Sequence, residues 1–221
     1  MIEQKIFKAE EEWLKFRENY FTSSELNRLL TEPTKAQKAA GKLLSDGAMT
    51  YIYEKVAAQL GVSEPIYYSP EMQHGKDTEK FAAARLCDDF KYDAESKEVL
   101  YANAGGFIIY SDGKLAGTPD LILPTAIAEI KCPKASNHLR YKTYDAVSFK
   151  ENLPNYYAQV QSNMYLADRN ECIFMSYDYR FERTDLQAHY IIIDRDDEFI
   201  EAMLKKVEIA FDYMNKLKLT L

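Results

Sequence analysis

The first part of the chain has hydrophobic residues at helical spacing. Trp13, Phe16 and Tyr20 recur three and four positions apart in a stretch otherwise rich in charged residues. The segment TSSELNRLL then begins with hydroxyl residues and has an acidic residue in its first turn, both of which are typical of helix starts. Residues from about 9 to 60 are therefore predicted to be mainly helical. A further helix is predicted over 76–90.

The pattern then changes to short apolar runs that are typical of strands. From about residue 97 to residue 131 the chain reads KEVLYAN, GFIIY, a Ser-Asp-Gly turn and GTPDLILPTAIAEIKCP. Pro154 fits the first turn of a following helix, and two more strands are predicted within 171–180 and 186–194. A last helix is predicted over about 195–217.

This order of elements predicts an α/β domain with a central mixed β-sheet flanked by helices. At 221 residues, the chain is expected to form a single domain over 1–221. Within it we expect a helical N-terminal part at about 9–60 and a core at about 75–221. The 17 tyrosines fall mostly at strand or helix-core spacing, so they are assigned to the core rather than to stacking on unpaired bases.

Composition narrows the classes of function. The net charge of −7 argues against a protein that coats nucleic acid through a general basic surface. The chain has no apolar run long enough to span a membrane and no secretory pattern at its start. Its three cysteines are far apart and odd in number, which favours reduced thiols and a cytoplasmic location.

The stretch GTPDLILPTAIAEIKCP places Asp120, Glu129 and Lys131 in an apolar setting where charge is costly. A turn centred on Pro124 would pair the flanking strands so that Asp120 lies opposite Glu129. Two opposed carboxylates repel each other unless positive charge lies between them. An ion-pair network with Lys131 and a site for a hard divalent cation such as Mg²⁺ both satisfy this requirement. Acid-x-lysine triplets also occur elsewhere, as at Asp112, so the triplet alone does not decide.

Several motifs together carry a resemblance to a known family. Pro-Asp, eight intervening residues and then EIK resembles the core of the PD-(D/E)xK nucleases. WLKFRENYFTSSEL, MQHGKDTEKFAA, YSDGKLAGTPD, EIKCP and YYAQVQSNMY resemble, in the same order, segments of the phage lambda exonuclease and YqaJ-like viral recombinase family. The likeness covers roughly residues 10 to 215 and implies a restriction-endonuclease-like core.

Carried over residue by residue, the resemblance implies a catalytic metal site. Asp120, Glu129 and the backbone carbonyl of Ile130 would hold Mg²⁺, for which Mn²⁺ is expected to substitute. Lys131 would orient and activate the attacking water and stabilise charge on the phosphoryl oxygens. Glu79 matches a helical glutamate that supports the family's site, with a solvated helix acid as the alternative.

Three further sets of residues follow from the same resemblance. Gln159 would orient the lysine or a ligand carboxylate, unless it is a plain surface glutamine, and Asp112 would lie near the site, unless it only closes its turn. A pocket for the 5′-phosphate of the DNA end is expected from Arg17, Ser24 and Thr118. The chain departs from the family at Asn137, where the family has an arginine six residues after the lysine of its E-x-K motif. Either Lys134 or Arg140 supplies the missing charge, or the dependence on a 5′-phosphate is weaker.

The resemblance implies a Mg²⁺-dependent exonuclease that digests one strand of linear double-stranded DNA from the 5′ end. The 3′ single-stranded tails would serve phage-type recombination. The implied partners are duplex DNA ends, two further copies in a ring-shaped homotrimer and a single-strand annealing protein, in a phage or prophage setting within the bacterial host. The alternatives are an endonuclease or repair nuclease on the same core, and a non-catalytic DNA-end-binding module. A non-catalytic relative would be expected to lose Asp120, Glu129 or Lys131, and all three are present.

Overall fold

The structure is a computed structural model that describes residues 1–62, 70–93, 96, 99–101 and 107–221. Strands in these residues are β1 (Glu3–Phe7), β2 (Phe21–Thr22), β3 (Leu100–Tyr101), β4 (Phe107–Ser111), β5 (Leu115–Gly117), β6 (Leu121–Ile122), β7 (Ile127–Lys131), β8 (Glu171–Tyr177) and β9 (Ala188–Asp194). The α-helices are α1 (Glu10–Arg17), α2 (Asn27–Leu30), α3 (Lys35–Ala39), α4 (Asp46–Gln59), α5 (Pro70–Phe90), α6 (Ala135–Tyr141), α7 (Ala146–Asn152), α8 (Pro154–Ala167) and α9 (Asp197–Thr220). The chain divides into two compact units.

The first unit comprises Met1–Pro65, Gly106–Thr118 and Asp196–Leu221. It contains a four-stranded mixed sheet in the order β1-β4-β5-β2, in which only the β2–β5 pair is parallel. Helix α9 lies in this unit and buries one face at helical spacing. Its buried residues are Ile200, Met203, Val207, Ala210 and Met214.

The second unit comprises Ile66–Gly105 and Pro119–Arg195. It contains a five-stranded mixed sheet in the order β3-β6-β7-β8-β9. Strands β7 and β8 are parallel and are joined by a connection that contains α6, α7 and α8. Helices α5 and α8 both pack against β7, so this strand is buried on both faces. Its sequence is accordingly almost continuously apolar.

The two faces of β7 differ in chemistry. Ala128 and Ile130 belong to the hydrophobic cluster that also contains Ala82, Ala83 and Leu86 of α5. Glu129 lies between them in sequence, so the alternation of a strand turns its side chain to the opposite face. The residues of α8 that meet this side chain are polar, which places a polar cluster on this face of β7.

The mixed α/β class predicted from the sequence is confirmed, although the strands form two sheets rather than one central sheet. Strands β1 and β2 and helices α6 and α7 were not predicted. Strand β1 is exposed along most of its length, so it has no apolar alternation to detect. Helix α7 does carry a local signal, since Asp145 and Ser148 form a reciprocal capping box at its start. Part of the strand predicted at 97–103 lies outside the described residues.

Candidate active site

A tight hairpin between β6 and β7 brings the two predicted metal ligands together. Pro124 lies in its turn, which is closed by a 2.9 Å hydrogen bond from the amide of Leu123 to the carbonyl of Ala126. Leu121 pairs with Ala128, so the register continued by one residue places Asp120 opposite Glu129. This is the pairing expected from the sequence.

The hairpin also fixes the orientation of Asp120. The backbone N–H of Ile130 donates a 2.6 Å hydrogen bond to Oδ2 of Asp120. Oδ1 of Asp120 makes no hydrogen bond with any residue that the structure describes. One carboxylate oxygen is therefore anchored to the strand, while the other is available to a ligand.

Glu129 is held by three side-chain donors. Its side chain is only 1% exposed, and Oε1 accepts hydrogen bonds from Nζ of Lys131 and Nε2 of Gln159. Oε2 accepts a 3.2 Å hydrogen bond from Nδ2 of Asn163. Gln159 and Asn163 lie one turn apart on α8, which Pro154 starts at its first position. A buried carboxylate with three donors has a fixed position, which a metal ligand requires.

The electrostatics of the site reflect its crowded charges. Burial and the nearby Glu129 raise the pKa of Asp120 well above its ordinary value, against the opposing influence of Lys131. Burial opposes the charge of Lys131, but Glu129 and Asp120 outweigh burial and raise the pKa of the ammonium group. Two carboxylates thus share one lysine, and the electrostatic cost of this arrangement falls on the ionised form of Asp120.

Glu79 on α5 belongs to the same site. Its charge contributes to the raised pKa of Asp120, after burial and Glu129. It also contributes, after burial, to a pKa of about 12 for the neighbouring Cys132 thiol. The structure therefore brings together Asp120, Glu129, Lys131, Glu79 and Gln159 in the second unit.

Two of these residues, Glu79 and Lys131, border a cleft with a volume of about 920 Å³. Ile130, Tyr156 and Asn137 also lie in its wall. Additional cations line the same wall, namely Lys76, Lys134 and Arg180. Of the two possible substitutes for the missing family arginine, Lys134 lines this cleft, whereas Arg140 donates a 3.2 Å hydrogen bond to Oδ1 of Asn137.

The donor set fits a hard divalent cation. Asp120 offers a carboxylate oxygen without a hydrogen bond, and Glu129 offers a carboxylate fixed beside it. Among the described residues there is no group of three or more His, Cys, Asp or Glu side chains arranged for a metal. Two carboxylates and a backbone carbonyl still match Mg²⁺, because that ion usually keeps several water or phosphate oxygens among its ligands.

The expected 5′-phosphate residues lie together in the first unit. Nη2 of Arg17 donates to Oγ of Ser24 at 3.3 Å, and Nε1 of Trp13 donates to Oγ1 of Thr118 at 3.3 Å. The guanidinium carbon of Arg17 lies 4.4 Å from the centre of the Trp13 ring. Trp13 thus connects the three predicted residues into one cluster.

Asp112 has an evident local role in the same unit. Its Oδ1 accepts hydrogen bonds from the backbone amides of Lys114 and Leu115, at 3.0 and 2.8 Å. Gly113 adopts a positive φ of 92° in this turn, a conformation that favours glycine. These contacts match the turn-closing role that the sequence left open for Asp112.

Comparison with known proteins identifies the family. The family model described as the YqaJ-like viral recombinase domain matches residues 12–170. The chain belongs to this YqaJ-like family. No curated protein sequence matches the chain.

Solved structures agree with the YqaJ-like assignment. The alkaline exonuclease LHK-Exo from Laribacter hongkongensis is 25% identical with a TM-score of 0.69, and the alignment covers 93% of each chain. LHK-Exo in complex with dAMP gives 23% identity, a TM-score of 0.68 and the same coverage. A phage-related exonuclease from Haemophilus somnus is 19% identical with a TM-score of 0.68, over 90% of this chain and 94% of that one. The family and fold together identify the chain as a nuclease of the phage recombination type that acts on DNA.

Sequence reasoning on this YqaJ-like chain missed two contributors to the site. Asn163 was not assigned a role, although its position four residues after Gln159 on the same helix was the available signal. Arg180 was placed in a predicted strand. It lies instead beyond the end of β8, and nothing in its spacing signals its place in the cleft wall.

The described residues contain no helix long and apolar enough to cross a membrane. All three cysteines are free thiols, as expected from their number and spacing.

Proposed function

We propose that this protein is a Mg²⁺-dependent exonuclease that digests one strand of linear double-stranded DNA in the 5′-to-3′ direction. The 3′ single-stranded tails that remain would be substrates for phage-type recombination. One observation carries the proposal, namely that Asp120 and Glu129 are opposed across a hairpin with Lys131 beside them. Family membership supplies the nuclease chemistry to which this arrangement is suited.

Each residue has a role in hydrolysis of a phosphodiester. Asp120, Glu129 and the carbonyl of Ile130 would hold Mg²⁺, which when bound supplies Lewis-acid activation of water and neutralises phosphoryl charge. Lys131 orients the attacking water and stabilises the negative charge that gathers on the phosphoryl oxygens. Gln159 and Asn163 keep the Glu129 carboxylate in position through their hydrogen bonds. Glu79 supports the site from α5.

The direction of digestion rests on the cluster in the first unit. We propose that Arg17, Ser24 and Thr118 bind the terminal 5′-phosphate, because a guanidinium and hydroxyls are suitable phosphate donors. The contacts of Arg17 with Ser24 and Trp13 support a preorganised group at this position. Asn137 lacks the positive charge found in the family, and Lys134 in the catalytic cleft is the proposed substitute.

Assembly and partners are proposed from the family resemblance. A ring-shaped homotrimer would keep an acidic chain on DNA by enclosing it, and a single-strand annealing protein would receive the tail. Light scattering after size-exclusion chromatography measures the assembly state directly, and a monomeric mass would contradict the ring.

The test of the proposed activity is digestion of linear duplexes with defined ends. One strand carries a 5′-phosphate or a 5′-hydroxyl, each strand is labelled separately, and reactions contain Mg²⁺, Mn²⁺ or EDTA. We expect release of mononucleotides from the 5′-phosphorylated strand with either metal and no release in EDTA. The matched control is Asp120→Asn, which preserves side-chain size and removes a ligand charge.

Three outcomes would reject specific parts of the proposal. Digestion that starts from 3′ ends would reject the direction, and cleavage of a covalently closed circle at an equal rate would favour an endonuclease. Full activity of Asp120→Asn, or in EDTA, would reject the metal site.

A further inference from the structure

A second cavity adjoins the catalytic cleft in the second unit. Its volume is about 470 Å³, and it is lined by His74, Asp77, Thr78, Phe81, Tyr177 and Tyr179. His74 lines both this cavity and the catalytic cleft, so the two spaces are neighbours. The roles assigned to the catalytic residues leave this second cavity without a function.

Two aromatic side chains of the cavity are exposed. Phe81 on α5 is 57% exposed and Tyr179 is 51% exposed, whereas the adjacent lining residue Tyr177 is buried. The Tyr179 ring centre lies 6.1 Å from that of His74. Exposed aromatic rings that converge on one cavity provide flat apolar surfaces for a planar ligand.

The loop that carries Tyr179 is held in place by its backbone. Nε2 of Gln187 donates to the carbonyl oxygens of Tyr179 and Phe181, at 3.2 and 2.8 Å. The buried carboxylate of Asp178 accepts hydrogen bonds from Nε and Nη2 of Arg180, both at 2.7 Å. This two-point pairing fixes a guanidinium that is 48% exposed and lines the catalytic cleft. Consecutive residues thus present an aromatic ring to one cavity and a cation to the other.

The polar groups of the cavity favour a base over a phosphate. Asp77 is a carboxylate, which repels phosphate but can accept a hydrogen bond from the amino group of a base. It already accepts a 2.8 Å hydrogen bond from Nε2 of Gln73. Nε2 of His74 is buried and has no hydrogen-bond partner among the described residues. Lys80 does not line the cavity, but its Nζ lies 4.9 Å from the centre of the Phe81 ring and adds positive charge beside that ring.

We propose that this cavity binds one unpaired nucleobase of the DNA end. Tyr179 and Phe81 stack on the base, and Arg180 contacts the phosphate of the same strand where it enters the catalytic cleft. The proposal rests on the proposed nuclease function, because it concerns the DNA strand next to the cleavage site. It adds a subsite that selects unpaired strand over paired duplex, since a paired base cannot insert between aromatic rings.

The experiment measures binding to duplexes with a single-stranded 3′ tail, with Ca²⁺ in place of Mg²⁺. A fluorescent label reports binding by anisotropy, and an abasic residue is moved one position at a time through the tail and the terminal pairs. The original protein should show one position at which loss of the base weakens binding by about 5- to 150-fold, the range of one stacked base. Tyr179→Ala should bind normal DNA more weakly by a similar factor and should lose its sensitivity to that abasic position.

Three further variants separate stacking from other effects. Tyr179→Phe should retain the binding and the abasic sensitivity, because it keeps the ring. Lys134→Gln, which removes a cation of the catalytic cleft and leaves the Asp178–Arg180 pair intact, should weaken binding equally with and without the base, because it acts on phosphate. Tyr53→Ala is the matched control, because Tyr53 lies in the first unit and is 50% exposed, and it should bind as the original does.

The outcomes distinguish this subsite from the nuclease activity. If the original protein digests DNA in Mg²⁺ but Tyr179→Ala binds as tightly as the original, the subsite is wrong and the activity stands. Base-dependent binding through Tyr179 without digestion would support the subsite and reject the proposed activity. An equal loss for Tyr179→Ala on normal and abasic DNA would overturn the stacking role.

Discussion

Asp120 and Glu129 are expected to have opposite effects on the stability of the metal-free protein. Asp120 accepts one backbone hydrogen bond and is disfavoured as an anion by burial and by Glu129. Glu129 accepts from three donors, one of which is the ammonium group of Lys131. Repulsion between opposed acids would by itself predict that removing either charge relieves strain. The three donors around Glu129 reverse that expectation, so removal of its charge should destabilise the protein.

The substitutions Asp120→Asn and Glu129→Gln test this difference at constant side-chain size. Asparagine can still accept the hydrogen bond from Ile130, so Asp120→Asn should leave stability unchanged or slightly higher. In Glu129→Gln, the new amide N–H group would face side chains that are themselves donors, so hydrogen bonds are lost. The ammonium group of Lys131 also loses its ion-pair partner. Removing one member of a buried ion pair costs about 3–5 kcal/mol. For a chain of this size, each kcal/mol lost lowers the midpoint of thermal unfolding by about 2–4 °C, so Glu129→Gln should lower it by roughly 6–20 °C.

The assay is thermal unfolding in EDTA, followed by circular dichroism, with hydrolysis in Mg²⁺ measured on the same samples. Both variants should lose hydrolysis, so activity and stability are separated by Asp120→Asn. The double variant Glu129→Gln with Lys131→Met should recover part of the lost stability, because the unpaired ammonium group is gone. Equal destabilisation by Asp120→Asn and Glu129→Gln would refute the asymmetry, and no recovery in the double variant would refute its cause.

Other perturbations test separate parts of the molecule. Lys131→Ala should slow turnover by orders of magnitude while binding of DNA ends in Ca²⁺ stays comparable, and a proportional loss of both would make Lys131 a phosphate anchor. Arg17→Ala should slow initiation about 10- to 100-fold on a 5′-phosphorylated duplex, as expected for a charged hydrogen bond, and much less on a 5′-hydroxyl end; equal penalties would place Arg17 outside the end pocket. Burial lowers the pKa of Lys55 to about 8 in the folded protein. The charged form of Lys55 therefore destabilises the fold fully below that pH, and this cost disappears as the pH rises to the higher pKa that the side chain has in the unfolded chain. The stability of Lys55→Met relative to the original should therefore decline as pH rises from 7 to 10 in urea titrations, and a constant difference would contradict the shift.

The central hairpin could be predicted because its signals are local. Alternation fixes which face of β7 carries Glu129, and Pro124 fixes the turn, so the register follows from residues within one short segment. The supporting amides on α8 are separated from Glu129 by 30 or more residues. Helical spacing places Gln159 and Asn163 on one stripe, but only the packing of α8 on β7 determines which carboxylate that stripe meets.

Tyr179 and Arg180 show where a sequence pattern fails. The run ECIFMSYDYR predicts a strand through residue 180, and alternation would then assign both tyrosines to the core. The strand ends at Tyr177, where Asp178 turns its buried carboxylate to the guanidinium of Arg180. Tyr179 is therefore exposed although its neighbour two positions earlier is buried. The contacts responsible involve a residue from the following turn, which no periodicity within the strand can reveal.

Charge distribution explains how an acidic chain can contain a site for DNA. The net charge is −7, yet Lys76, Lys131, Lys134 and Arg180 meet in the wall of one cleft. Backbone phosphates respond to charge within about 10 Å at moderate ionic strength, so this local set matters more than the total. The carboxylates Asp120, Glu129 and Glu79 would repel the same phosphates in the absence of a cation. In the proposed function, such a site would couple strand binding to metal binding, because the Mg²⁺ that would support hydrolysis would also remove the repulsion that keeps the strand away.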